Sequence, residues 1–291
     1  MPTFTLENAN FLVKVRVLGA EMQSLFNKKN EIEYLWQADA NYWPRHAPVL
    51  FPIVGRLPED NLHHGQDYPM TQHGFARDML FDVTHQSNER LQFRLAANEK
   101  TKAQYPFDFE LLIDYQLVDN QLTTQYTIRN LSNEVLPASI GAHPAFNWPL
   151  LPNVPKESHT ITFEKDESKP IRQLDKGLML EEKLPNPIRD NKLSLKDSLF
   201  ENDALIFDEL NSRSIRYDAG NEQAIEVRFN DFPHLGIWTK PGAPFVCLEP
   251  WHGYSSPVGF EADFINKPGL LLIPEKSEIT KSFQIIVHAS E

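Results

Sequence analysis

Three short polar strings, each embedded among aromatic residues and proline, hold the side chains best suited to chemistry. The first is Phe51-Pro52-Ile53-Val54-Gly55-Arg56, with Gln72-His73-Gly74-Phe75-Ala76-Arg77 downstream. The second is Gly141-Ala142-His143-Pro144-Ala145-Phe146-Asn147-Trp148, and the third Leu248-Glu249-Pro250-Trp251-His252-Gly253. Glu249 ends an apolar run and precedes Pro250-Trp251. At such a strand mouth, beside an aromatic wall, a desolvated carboxylate can serve as a general base; the plainer alternative is a strand-end partner for a neighbouring arginine. His143, between Gly-Ala and Pro-Ala-Phe, suits either a proton donor or a buried polar residue bonded to backbone. His73 and Arg56 fit turns as readily as a site, and Arg77 fits a surface ion pair. Ten histidines raise the question of a metal. Yet no His-x-x-x-His spacing occurs, and the adjacent His63-His64 would face opposite ways on a strand, so neither a metal nor any other cofactor is expected. No Gly-rich phosphate loop, Gly-x-Ser-x-Gly elbow or dinucleotide fingerprint is present.

The elements that must carry these strings are strands. Phe109, Leu111, Ile113, Tyr115 and Leu117 share one parity, while Glu110, Asp114 and Gln116 fall on the other, which predicts a half-buried strand. Leu122, Thr124, Tyr126 and Ile128 repeat the pattern after Asp119-Asn120, a hairpin turn. Shorter segments of the same kind recur at Phe11–Val17, Leu80–Thr84, Leu91–Leu95, Thr160–Phe163, Ala224–Phe229, Phe245–Leu248, Leu270–Ile273 and Thr280–Val287. No helix-period stretch competes, so the chain reads as all-β and antiparallel, a sandwich or a barrel. Between Leu150 and Leu199 the composition turns to Pro, Lys, Glu and Asp. That suits either a linker or a long polar excursion within one sheet. The same alternation on both sides leads to a single domain over residues 1–291.

With 40 Asp and Glu against 28 Lys and Arg, the net charge of −12 disfavours nucleic acid and anionic lipid as partners. Hydrophobic residues make up 41% of the chain, enough apolar surface to offset the entropy of folding. The lone Cys247 cannot form an intrachain disulfide and reads as a small buried hydrophobe. The first residues lack the blocks of a signal peptide and no apolar run approaches a membrane span, so a soluble cytoplasmic protein is expected.

Taken in order, Phe51-Pro52-x-x-Gly55-Arg56, His73-Gly74-Phe75-Ala76-Arg77, Gly141-Ala142-His143-Pro144-Ala145-Phe146 and Glu249-Pro250-Trp251 resemble the aldose 1-epimerase (galactose mutarotase-like) family, and most closely its LacX-type branch. The resemblance spans nearly the whole chain. It implies an antiparallel β-supersandwich with an open sugar cleft, and cofactor-free interconversion of the α and β anomers of an aldose. Carried over residue by residue, it implies Glu249 as the base that removes the C1 hydroxyl proton and His143 as the acid that protonates the ring oxygen. Arg56, His73 and Asp203 would hold the sugar. Phe146, Trp148 and Trp251, which lie beside the proposed acid and base, suit either aromatic walls for sugar C–H faces or ordinary core. The expected partner is a small-molecule sugar, the chain acting as a monomer or homodimer. One departure bears on substrate. Galactose-specific members carry a histidine followed by two glycines, whereas His73-Gly74-Phe75-Ala76-Arg77 is similar to a string in the hexose-6-phosphate epimerase branch, where Arg77 could meet a phosphate. A noncatalytic sugar-binding protein on the same fold is the alternative from another class.

Overall fold

The computed structural model describes residues 1–220 and 222–289. Two large antiparallel sheets face each other across one continuous apolar core. The first has nine strands and is built around the long hairpin Phe109–Val118 and Gln121–Asn130, flanked by Glu278–His288 on one side and Arg90–Ala96 on the other. Val118 pairs with Gln121, leaving Asp119-Asn120 as a two-residue turn with Asp119 at φ 51°. Alternation decides the faces here. Phe109, Leu111, Ile113, Tyr115 and Leu117 are buried in the core, while Glu110 and Asp114 on the opposite face are paired with Arg94, Arg129 and Arg90.

The second sheet has eight strands, with Phe245–His252 near its middle and His234–Trp238 beside it. Val246, Leu248, Leu235 and Ile237 enter the shared core. The alternate residues Phe245, Cys247, Glu249 and Trp251 turn to the other face of the sheet. There they are covered by two smaller apolar clusters, one around Trp36, Phe245 and Cys247, the other around Leu50, Ile206 and Trp251. Burial on both faces is why this strand reads as a continuous apolar run interrupted by Glu249.

The polar region 150–199 is neither a linker nor a loose loop. Thr160–Phe163 and Lys192–Ser194 close one edge of the nine-stranded sheet, and Ile171–Asp175 and Leu178–Leu184 close one edge of the other. Being at edges, these strands keep solvent on much of their surface, which accounts for their charged composition. The strand predicted at Leu80–Thr84 lies at Asp82–Gln86, and the one at Phe245–Leu248 continues to His252. Among the described residues no helix is long and apolar enough to cross a membrane.

Candidate active site

Glu249 faces a missing rung. Gly141 pairs with Trp251 and Ala145 with Cys247 on the strand that carries Glu249. The residues between, Ala142-His143-Pro144, span the position opposite Glu249 without completing the ladder. Proline has no N–H to donate and interrupts pairing there, although its carbonyl still accepts from the Leu248 N–H at 3.1 Å. The register on either side therefore delivers His143 onto Glu249, with 3.2 Å between His143 Nε2 and Glu249 Oε2. Both residues are buried, Glu249 to 1% exposure and His143 to 7%.

Burial dominates the electrostatics of this pair. Desolvation pushes the Glu249 carboxyl well above the usual carboxylate range, and the negative charge of Asp203 adds to the shift. Desolvation, helped by the charge of Arg77, brings His143 down to about 3. A proton donor would more simply have its pKa raised by the charge of a neighbouring carboxylate. The structure reverses it because the loss of water around both groups outweighs their mutual attraction. The carboxylate beside His143 is Glu249, whereas Asp203 is exposed on the rim, where its Oδ1 accepts from the Ala204 N–H at 2.7 Å.

His73 is fixed by reciprocal bonds with Gly55: the His73 N–H donates to the Gly55 carbonyl at 2.7 Å, and the Gly55 N–H donates to His73 Nδ1 at 3.1 Å. Nδ1 is thus an acceptor, and neutral His73 must carry its proton on Nε2. Burial and the neighbouring His143 keep its pKa low, which holds the ring in this state. Gly55 has φ +76°, and a Cβ there would lie 1.9 Å from Ser255 Oγ. Only glycine fits this close approach.

A cavity of about 860 Å³ opens over these residues. Trp43 stacks on the His143 ring, centroids 4.9 Å apart, and Trp238 meets the same ring edge-on. Trp251 forms the floor on the other side. Its indole lies across neighbouring strands at Gly236 and Gly141, where an added Cβ would approach to 2.5 and 2.7 Å. The edge segment Gln173-Leu174-Asp175-Lys176 and the loop Glu201-Asn202-Asp203 form the rim.

Of the residues singled out from sequence, Glu249, His143, His73, Arg77, Asp203 and Trp251 line this cavity. Arg56 and Phe146 do not. The Arg56 guanidinium is held by both carboxylate oxygens of Asp60 at 2.6 Å and donates to the Lys176 carbonyl at 3.2 Å, so it braces the rim from outside. Phe146 falls on the core-facing parity of its strand and is fully buried in the main core, and Trp148 is also in that core. Trp43 and Trp238 are the walls that sequence reading missed. Trp238 had a signal, because Leu235 and Ile237 alternate with Gly236 and Trp238. Trp43 lies in a loop and had none.

A family model described as aldose 1-epimerase matches residues 2–268. The chain belongs to the aldose 1-epimerase family. Among members of known sequence, the chromosomal LacX protein of Lactococcus lactis subsp. lactis is 33% identical over 297 residues, covering 98% of this chain and 99% of LacX. A galactose mutarotase related enzyme from Lactobacillus acidophilus has a similar structure, with a TM-score of 0.93 at 32% identity over 99% of this chain and 98% of that one. A galactose mutarotase-like protein from Lactobacillus casei gives a TM-score of 0.91 at 30% identity over 99% and 100%. The fold of this aldose 1-epimerase family member is the galactose mutarotase-like β-supersandwich.

Proposed function

We propose that the protein is an aldose 1-epimerase acting on a free, uncharged hexose, with Glu249 and His143 transferring the protons. The observation that carries this reading is the buried 3.2 Å contact between them. Opening a hemiacetal moves a proton off the C1 hydroxyl and another onto the ring oxygen, and these two oxygens are bonded to one carbon. A base and an acid that serve both must therefore stand side by side, as these do. A protein that only binds sugar has no use for such a pair, and burying it is costly.

Glu249 takes the hydroxyl proton while His143 gives its proton to the ring oxygen, the C1–O5 bond breaks, and an open-chain aldehyde forms. Rotation about C1–C2 presents the other carbonyl face, and the reverse transfers close the ring. The site holds a single proton throughout: at rest burial keeps it on Glu249, and its passage to His143 across the 3.2 Å contact gives the carboxylate and imidazolium from which ring opening starts. Ring opening converts carboxylate and imidazolium into carboxylic acid and imidazole, the neutral form that burial favours, so the dry cleft assists the bond-breaking step. His73 offers its Nε2–H to a sugar oxygen, and Trp43, Trp238 and Trp251 cover apolar C–H faces.

The rim favours an uncharged sugar, since the carboxylates of Asp175, Glu201 and Asp203 outnumber Lys176 there and would oppose a phosphate dianion. Arg77 supports the hexose-6-phosphate alternative less well, because it is largely buried and bonded to the Gln72 carbonyl. The test is polarimetry of freshly dissolved α-glucose, α-galactose and glucose 6-phosphate. Catalysed mutarotation of a free hexose is expected, and the absence of any acceleration above the spontaneous rate on all three would refute the reading.

A further inference from the structure

We propose that His143 and Glu249 in the cleft, with Cys247 buried behind them, form a three-ligand site for a divalent transition metal ion of the zinc type, and that such an ion blocks the cleft by capturing both proton-transfer groups. The ligands are a ring nitrogen of His143, the sulfur of Cys247 and a carboxylate oxygen of Glu249, whose donor atoms all lie within 4.8 Å of one another. All three residues are buried. Cys247 and Glu249 share one parity of the same strand, and the missing rung brings His143 against them.

The spacing suits a tetrahedral ion. With metal–nitrogen and metal–oxygen distances of about 2.0–2.1 Å, two ligands of a tetrahedron stand roughly 3.3 Å apart, and the His143–Glu249 separation is 3.2 Å. The sulfur has only to draw in by a few tenths of an ångström to an ångström or so, in keeping with a longer metal–sulfur bond of about 2.3 Å. On the Glu249 carboxylate, Oε2 lacks an aligned hydrogen-bond partner among the described residues. The fourth position opens on the cavity that His143 and Glu249 line. One imidazole, one thiolate and one carboxylate form a borderline-soft donor set. Magnesium and calcium, which require six or more oxygens, are excluded by it.

Charge also balances. The resting site carries a neutral thiol, and the acid–base pair holds one proton. Binding of a dication expels both protons, leaving thiolate, carboxylate, neutral imidazole and the ion, so the net charge of the dry site is unchanged. The ion is accordingly an inhibitor, because the base and the acid become its ligands.

The experiment uses the full-length reduced protein stripped of metal, with Co2+ as spectroscopic probe and Zn2+ in equilibrium dialysis. One equivalent of Co2+ should bind with a thiolate-to-cobalt charge-transfer band in the near ultraviolet, and Zn2+ should displace it. Cys247→Ala, checked for folding by circular dichroism, should abolish the band and weaken Zn2+ binding by about tenfold to a hundredfold or more. Cys247→Ser, which preserves volume, is the second variant and should do the same. In the mutarotation assay, Zn2+ should inhibit the wild type competitively with sugar and inhibit Cys247→Ala at least about tenfold less well. Absence of binding, or Co2+ binding without a thiolate band, would overturn the proposal. So would affinity unchanged in Cys247→Ala, which would assign the ion to the exposed His63–Asp67 or His64–Asp263 contacts. The dialysis and the spectrum need no turnover, so failure of the epimerase reading leaves this test intact.

Discussion

Replacing Glu249 by glutamine separates the chemistry of the site from its architecture. The amide has nearly the shape of the protonated carboxyl that burial favours, so the fold should tolerate it. It cannot accept the hydroxyl proton. A positioned general base contributes about 10²–10⁴-fold, equivalent to about 2.7–5.4 kcal/mol of barrier, and kcat for α-glucose or α-galactose should fall by that factor. KM should stay within about threefold, because binding rests mainly on groups the substitution leaves alone. Stability should change in a pH-dependent way. In the unfolded chain the carboxyl ionises near 4.5, whereas in the folded protein it keeps its proton to higher pH. Over that interval the native state binds more protons, so wild-type stability falls as pH rises. Glu249→Gln has no such proton and should show a flatter profile, gaining on the wild type toward alkaline pH. Polarimetry with subtraction of the spontaneous rate, paired with urea denaturation at several pH values, measures both effects. Near-native kcat in a folded variant would refute the assignment of the base, and a parallel pH dependence of stability in the two proteins would refute the protonation argument.

Gly236→Ala places a methyl group 2.5 Å from the Trp251 ring, so stability should drop by about 1–3 kcal/mol and KM should rise as the floor tilts; an unchanged Tm and KM would contradict the close packing. Arg77→Ala should reduce kcat/KM for glucose and for glucose 6-phosphate by the same factor, since Arg77 is engaged with the Gln72 carbonyl. A loss of tenfold or more confined to the phosphate ester would make the phosphorylated sugar the substrate. His234, whose Nδ1 accepts from the Gly253 N–H, is brought down to about 4 by burial and the neighbouring His252. The unfolded chain takes up its proton near 6.5, so stability should fall by about 3 kcal/mol between pH 6.5 and 4. His234→Gln should remove that part of the acid sensitivity in denaturation experiments at these two pH values.

The strands most clearly legible in the sequence were those with one wet and one dry face. Phe109–Val118 alternates cleanly because Arg90, Arg94 and Arg129 meet its acidic residues on the outer face, and its hairpin partner follows from a two-residue turn. His234–Trp238, buried on both faces, keeps only the alternation of Leu235 and Ile237 with Gly236 and Trp238 and has no wet face to mark it, and Trp238 was missed with it; Phe245–Leu248, equally buried, was legible through its unbroken apolar run. The reactive pair was legible as two residue types in suggestive strings. Their contact depends on a register between segments about a hundred residues apart, which local pattern does not encode. Arg56 and Phe146 show the opposite limit, since they stand in the right strings while their side chains serve the rim and the core.

The gap in the ladder opposite Glu249 also fixes what need not move. His143 and Glu249 are spaced by rungs at Trp251 and Cys247 on one strand, not by two bodies that must come together around a ligand. In the mechanism proposed above, the acid and the base would therefore be set before a sugar arrives, with no closing motion required to assemble them. The largest rearrangement left to the proposed cycle is the sugar's own turn about a single carbon–carbon bond, which the width of the cleft has to permit.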